Sequence, residues 1–349
     1  MLKQNENAVV YCEGAFHTPN GKTAHGLVRF TERYHICAVI DSRYRGSDAG
    51  MVLDGRPNGI PVVESLDEAL LSASKQGHIV SSFIVGLAPD GGRMPEEALQ
   101  AVVSALKSKL NIVSGLHDFL TDNEQLVMLA ARKHCELLDI RKPPPRSSLH
   151  FFSGKIQEVK CPKIAILGTD SAIGKRTTAW HLVHAFRENG FRVELIGTGQ
   201  TAWMQGARYS LILDSLVNDF VSGEIEHAVH QAWVNEKPDL IVIEGQGSLL
   251  NPAYPGGYEI LAAGRPDFIV LQHAPKREEY DGFPGYPIQP LKHQIEAIEI
   301  ISGKQVIAIA LNHEGMARED ILSECRKVEK ECGLPTFDTL EYGAGKLMD

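Results

Sequence analysis

Short apolar runs alternate with longer amphipathic segments along almost the whole chain. AVVYCEG, from Ala8, and HICAVIDS, from His35, end in Gly or in an acid-Ser pair and read as buried parallel strands. GIPVVESLDEALLSASKQG, from Gly59, predicts a strand, an N-cap at Ser65 with Glu68 three residues on, and a helix closing at Gly77. SSFIVGLAP, from Ser81, predicts another strand. Pro95 opens a long amphipathic helix, PEEALQAVVSALKSKL, with acids in its first turn and lysines in its last. NIVSGLHDFLTDNEQLVMLAARKHCELLDIR, from Asn111, repeats the scheme. RKPPPRSSLHFFSGK then interrupts it, and its three consecutive prolines mark a linker at about residues 142–158. A fresh series follows: KIAILGT, FRVELIGTG, DLIVIEGQG, DFIVLQHAP and QVIAIALNH are strands with helices between them. Alternating β and α segments with short joints imply parallel, doubly wound sheets.

A chain of 349 residues suits about two domains. A formal net charge of -9 leaves no sequence-wide basic field, so nucleic acid is not an expected partner. The N-terminal MLKQNENAVVYCEG lacks the apolar core of a signal peptide, and no apolar run approaches the roughly 18 residues that span a bilayer. A cytoplasmic location without a membrane partner is expected. Six cysteines are scattered without a C-x-x-C pair, and the seven-residue spacing of Cys325 and Cys332 fits two turns of one helix.

The candidate chemistry concentrates in AILGTDSAIGKRTTAWHL, from Ala165. A phosphate loop needs a buried strand, small residues that expose backbone N–H groups, a helix N-terminus aimed at the anion, and a mobile cation. Here the strand is KIAIL, and the candidates are Gly168, Thr169, Asp170, Ser171, Ala172, Gly174, Lys175, Arg176, Thr177 and Thr178. Lys175 falls in a first helical turn, where the helix dipole repels it by roughly 0.3–1 kcal/mol, a conflict that a bound phosphate removes. Two details depart from the usual loop. Five residues, not four, separate Gly168 from Gly174, and Arg176 stands where a hydroxyl normally reaches Mg²⁺. Thr177 or Thr178 would have to supply that hydroxyl, unless Mg²⁺ is held through water or is absent. A second Gly-Lys-Thr, at Gly21, Lys22 and Thr23, has Phe16 where a loop glycine is required and reads as a turn or a substrate-facing loop. The first half lacks G-x-G-x-x-G, so an ordinary dinucleotide site is not expected there.

Other polar positions are open to two readings. Gln200, Thr201 and Gln205 in IGTGQTAWMQGAR suit a polar substrate or a surface loop. Asp214 and Asp219 suit an amine or metal, or a helix cap. The long segment QHAPKREEYDGFPGYPIQP, from Gln272, has the length of a functional loop. His273 in it is a candidate general base with a pKa near neutrality. Lys276 and Arg277 suit a carboxylate or CoA phosphates. His117 also follows a strand.

The five-residue spacing in GTDSAIGK resembles the variant P-loop of dethiobiotin synthetase and its relatives. The resemblance extends to PDLIVIEGQGSLLNP, from Pro238, and implies that Glu244 faces Mg²⁺ and substrate, with Gln246, Gly247 and Ser248 beside it. It also implies that Asn312, in VIAIALNH, reads adenine. The chain as a whole resembles a bacterial and archaeal two-domain family whose characterised member is a D-glutamate N-acetyltransferase. That resemblance implies an α/β protein with an N-terminal Rossmann-like parallel-sheet domain, residues 1–145, and a C-terminal P-loop NTPase-like doubly wound domain, residues 146–349. It further implies acetyl-CoA as cofactor, an acidic amino acid such as D-glutamate as small-molecule substrate, a homo-oligomer, and Glu244, His273 and Lys175 as catalytic residues. Two alternatives stay open. One is an ATP/Mg-dependent ligase or kinase in which Thr177 and Glu244 hold the metal; the other is a nucleotide-binding regulator without chemistry.

Overall fold

The computed structural model of the chain describes residues 6–347. It divides into two compact units, Met1–Pro143 with Gln200–Gly206, and Pro144–Gly199 with Ala207–Asp349.

The first unit runs β1 (Glu6–Tyr11), α1 (Lys22–Arg29), β2 (Tyr34–Ile40), α2 (Ala49–Asp54), β3 (Val62–Val63), α3 (Leu66–Lys75), β4 (Ser82–Val85), α4 (Glu96–Lys107), β5 (Asn111–Ser114), α5 (Glu124–Lys133) and β6 (Leu137–Asp139). Among the described residues its six strands are all parallel, in the order β3-β2-β1-β4-β5-β6. Ala8, Val9 and Val10 of β1 are completely buried, as expected where helices cover both sheet faces. Local signals set the helix ends. Ser65 Oγ accepts the Glu68 N–H at 3.3 Å, Asp67 and Glu68 occupy the first turn of α3, and Gly77 beyond its end takes φ +80°. Because β1 and β4 are neighbours out of sequence, the strand order reverses between them.

The segment Gln200–Gln205 folds as a helix that packs in this unit, although the sequence places it among second-half elements. Ala202 and Met204 are fully buried, and the Arg33 guanidinium lies 3.9 Å over the Trp203 ring. Thr201 Oγ1 is 3.2 Å from Thr23 Oγ1. Gln205 Nε2 donates to the carbonyls of Gly26 and Phe30 at 2.8 and 2.9 Å, satisfying acceptors at the end of α1. Gln200 is buried beside Gly115, where an added Cβ would lie 2.6 Å from Gln200 Cγ. The reading of Gln200 and Thr201 as substrate ligands, and of Gln205 with them, is corrected accordingly: Thr201 Oγ1 and Gln205 Nε2 are engaged with α1 and Gln200 is packed beside Gly115, while Gln205 Oε1 is buried without a hydrogen-bond partner.

The second unit begins with β7 (Lys163–Gly168), α6 (Lys175–Glu188) and β8 (Val193–Gly197), and the helix just described is α7 (Gln200–Gln205). It continues through β9 (Tyr209–Ser210), α8 (Asn218–Glu236), β10 (Leu240–Glu244), β11 (Phe268–His273) and α9 (Leu291–Ser302). It closes with β12 (Val306–Leu311), α10 (Ile321–Cys332), β13 (Thr336–Asp338) and α11 (Thr339–Tyr342). Among the described residues seven parallel strands follow the order β13-β12-β11-β7-β10-β8-β9, which places β7 at the centre between β10 and β11. Cys325 and Cys332 share α10, and the six cysteines are thiols outside any disulfide. Among the described residues no helix is long and apolar enough to cross a membrane.

The segment after the prolines is pinned to α8. Glu226, only 2% exposed, accepts hydrogen bonds from Ser153 N (2.6 Å), Ser153 Oγ (2.9 Å) and Ile156 N (3.1 Å). Burial pushes its carboxyl pKa up, but these hydrogen bonds outweigh burial and hold it below the ordinary value. Glu226→Ala is expected to cost about 2 kcal/mol at neutral pH, because it strands buried donors. A depressed pKa gives stability that is present above the unfolded-state value and is lost as pH falls through the folded one. The gap between wild type and variant should therefore close on acidification, as read by denaturant unfolding at pH 7 and below pH 4.

Candidate functional site

Every residue of β7 is buried, and the strand delivers the chain to Gly168 at the middle of the sheet. A Cβ at position 168 would lie 2.9 Å from Lys175 Cδ and 3.1 Å from its Nζ, so glycine here makes room for the lysine arm. Ala172 at φ +53° and Gly174 at φ +101° then turn the backbone into α6. Gly174 is the N-cap and, having no side chain, gives no side-chain hydrogen bond to the first turn of α6. The Lys175 ammonium is buried and donates to the carbonyls of Asp170 at 2.6 Å and Gly247 at 2.7 Å. Two carbonyl dipoles thus hold the cation that the helix dipole disfavours, in places that phosphate oxygens can take over.

Asp170 knits the loop together. Fully buried, it accepts from Ser171 N (2.6 Å) and Asn251 Nδ2 (2.8 Å) through Oδ1, and from Arg277 Nη1 and Asp281 N, both at 2.9 Å, through Oδ2. Arg277 also donates to Ser171 O at 2.8 Å and pairs with Glu314 at 2.5 Å. It therefore straps the 272–290 segment to the phosphate loop, a correction to its reading as a free carboxylate ligand. Lys276 remains exposed.

Glu244 ends β10 and is 4% exposed; its Oε2 accepts the Thr198 N–H at 2.8 Å. Burial raises its pKa, against the opposing pull of Arg176, the Thr198 and Gly199 amides and Lys175. Those causes place the carboxylate close to both cations of the phosphate loop. Behind it, a Cβ at Gly245 would lie 2.0 Å from Ile166 O, and Gly247 takes φ +51° against the Tyr254 carbonyl, so both glycines are dictated by close backbone approach. Gln246 Nε2 donates to Thr198 Oγ1 at 3.0 Å. Ser248 is 2% exposed, and its Oγ has no hydrogen-bond partner, which is costly unless a ligand supplies one.

Three expectations are corrected here. Burial lowers the His273 pKa to about 4, so its imidazole, 3.1 Å from Thr169 Oγ1, is neutral at pH 7 and is not a base poised at neutrality. Thr178 is completely buried and its hydroxyl donates to Gln272 Oε1 at 2.5 Å, with Thr339 Oγ1 3.1 Å away, so it is not placed as a metal ligand. Of the two threonines that leaves Thr177, which is half-buried. Asn312 Nδ2 donates to Ile173 O at 2.9 Å and Oδ1 accepts from Glu314 N, so the amide holds the phosphate loop and does not face outward to read a base. Gln272, Asn251 and Thr198 were not singled out by the sequence; they are buried polar residues, Gln272 and Thr198 at strand ends and Asn251 in the loop after β10. Among the described residues no group of three or more His, Cys, Asp or Glu is arranged to hold a metal.

Comparison with known proteins fits this arrangement. Residues 150–348 match the model of a domain of unknown function described as the DUF1611 P-loop domain. The chain belongs to the DUF1611 family. Residues 42–143 match the Rossmann-like N-terminal domain of the same family. A DUF1611 family protein from Anabaena variabilis, of known crystal structure, superposes with a TM-score of 0.90 at 29% identity, over 99% of this chain and 98% of that one. A Pseudoalteromonas protein named D-glutamate N-acetyltransferase is 31% identical over 299 residues, 83% of this chain and 87% of that protein. A Tritonibacter scottomollicae protein of the same name is 27% identical over 82% of this chain and 83% of its own length.

Proposed function

We propose that this DUF1611 protein is an N-acetyltransferase that moves the acetyl group of acetyl-CoA to the amine of an acidic amino acid, with D-glutamate as the leading acceptor. One juxtaposition carries the reading: a phosphate loop stands beside a buried carboxylate of raised pKa, Glu244. The name borne by the two relatives supports the choice of reaction. The first-turn amides of α6, with Lys175 and Arg176, would take phosphates of CoA. Glu244 would accept a proton from the substrate ammonium, a task for which a raised pKa suits it near neutrality. The free amine then forms the N–C bond at the thioester carbonyl, the C–S bond breaks, and the CoA thiolate leaves and takes up a proton. Ser248 Oγ, buried without a partner, suits a ligand oxygen, and exposed Lys276 suits a substrate carboxylate.

The alternative, an ATP/Mg-dependent ligase or kinase, draws on the same phosphate loop. Arg176 at the hydroxyl position and the commitment of Thr178 to Gln272 weigh against it and leave Thr177 with Glu244 to hold its metal. The test incubates the full chain with acetyl-CoA and a panel of D-glutamate, L-glutamate, D-aspartate and D-alanine, followed by mass spectrometry. N-acetyl-D-glutamate is the expected product. An absence of any acetylated acidic amino acid rejects the proposal.

A further inference from the structure

The first unit contains a cleft that the chemistry above does not use. Its volume is about 360 Å³, enough for a small organic molecule. Tyr11, 7% exposed, and completely buried Phe83, with ring centroids 5.8 Å apart, lie beneath it, and Leu66 of α3 with Ala101 and Ser104 of α4 form the walls. Glu13, Ser42 and Glu64 follow the C-terminal ends of β1, β2 and β3 and line the same cleft. Tyr11 and Phe83 come from β1 and β4, the neighbouring strands at which the order reverses. Open α/β sheets bind ligands outside their strand C-termini at such a switch point.

Its charge selects the kind of ligand. Among the described residues two carboxylates line the cleft and no Lys or Arg does. Glu13 is fixed in place by Ser42, whose N–H and hydroxyl donate to it at 2.9 and 2.5 Å. Glu64 pairs with Arg45 at 3.1 Å, but Arg45 also holds Glu68 at 3.1 Å, so a ligand cation can replace it at Glu64 without leaving the guanidinium unpaired. Asp41, completely buried, is already matched by Arg43 at 2.7 Å. The Tyr11 hydroxyl reports the local field: its pKa is pushed up to about 12, by burial first and then by Glu13, Glu97, Cys12 and Asp41. Phosphates and acidic amino acids are repelled from such a place. We infer that this cleft is a binding site for a small organic cation, an amine carried on an apolar body that sits between Leu66 and Ala101. Its charge preference is opposite to that of the phosphate loop, so its ligand is neither acetyl-CoA nor the acidic acceptor.

The probe is benzylamine, compared with benzyl alcohol and benzoate, which share its ring and differ in charge. Ligand-observed NMR titrations use the full-length chain. Benzylamine should bind at least about tenfold more tightly than benzyl alcohol, a difference of roughly 1.4 kcal/mol, and benzoate should bind more weakly still. Ala101→Trp, which fills the cleft, should abolish benzylamine binding; Ser104→Trp, at an exposed position, serves if that variant does not fold. Glu13→Gln and Glu64→Gln should each reduce the preference for the amine over the alcohol. Equal affinity for the three probes, or amine binding that survives the tryptophan variants, overturns the inference.

Discussion

The Lys175→Ala protein is expected to bind acetyl-CoA about 100-fold more weakly than wild type, and to lose turnover in proportion at subsaturating ligand. The magnitude follows from the loss of charge-assisted bonds worth roughly 3 kcal/mol at a site that excludes water. The fold should survive, because the Lys175 ammonium donates to the loop carbonyls of Asp170 and Gly247 and is no part of the apolar core. Calorimetric titration with acetyl-CoA reads the affinity, and thermal unfolding without ligand reads the fold. Unchanged affinity in a folded variant would remove the phosphate loop from the binding site altogether.

Glu244→Gln should separate stability from activity. The carboxyl is buried and its pKa is raised, so the folded state favours its protonated form. Stability from such a group is present below the unfolded-state pKa and is lost as pH rises through the folded-state value. Wild type therefore bears the burden of an ionised buried carboxylate at alkaline pH, and glutamine, which still accepts the Thr198 N–H, does not. The variant should match wild type in stability at pH 5 and exceed it at pH 9 by roughly 1–3 kcal/mol in denaturant unfolding. Its acetyl transfer should fall by about 10²–10⁴, the usual worth of a positioned base, and the acid limb of the wild-type pH profile should disappear. A variant of unchanged activity would assign Glu244 to structure alone.

Much of this architecture was legible in the sequence because it rests on local signals. Ser65 caps α3, Pro95 precedes α4, and the strand KIAIL followed by small residues and Gly174 sets the start of α6; each depends on residues close by in the chain. Both parallel sheets followed from strand–helix alternation. The errors arose where a polar residue's partner is distant in sequence. Arg277 finds Asp170 across 107 residues, Asn312 finds Ile173 across 139, and Thr201 finds Thr23 across 178. Side chains that looked available in the sequence are committed by the fold. The placement of α7 in the first unit was hidden for the same reason, since its capping of α1 depends on Gln205 meeting Gly26 and Phe30. His273 was misjudged because its pKa depends on burial, which a strand-end position does not reveal.

The central claim is that the phosphate loop serves acyl transfer and not nucleotide cleavage. It is tested most directly by supplying acetyl-CoA, ATP with Mg²⁺, and D-glutamate together, and following free thiol and inorganic phosphate in the same reaction. Release of thiol in step with N-acetyl product, with phosphate at the background of the Lys175→Ala control, is the predicted result. Phosphate release that depends on the amino acid, without thiol, would contradict it.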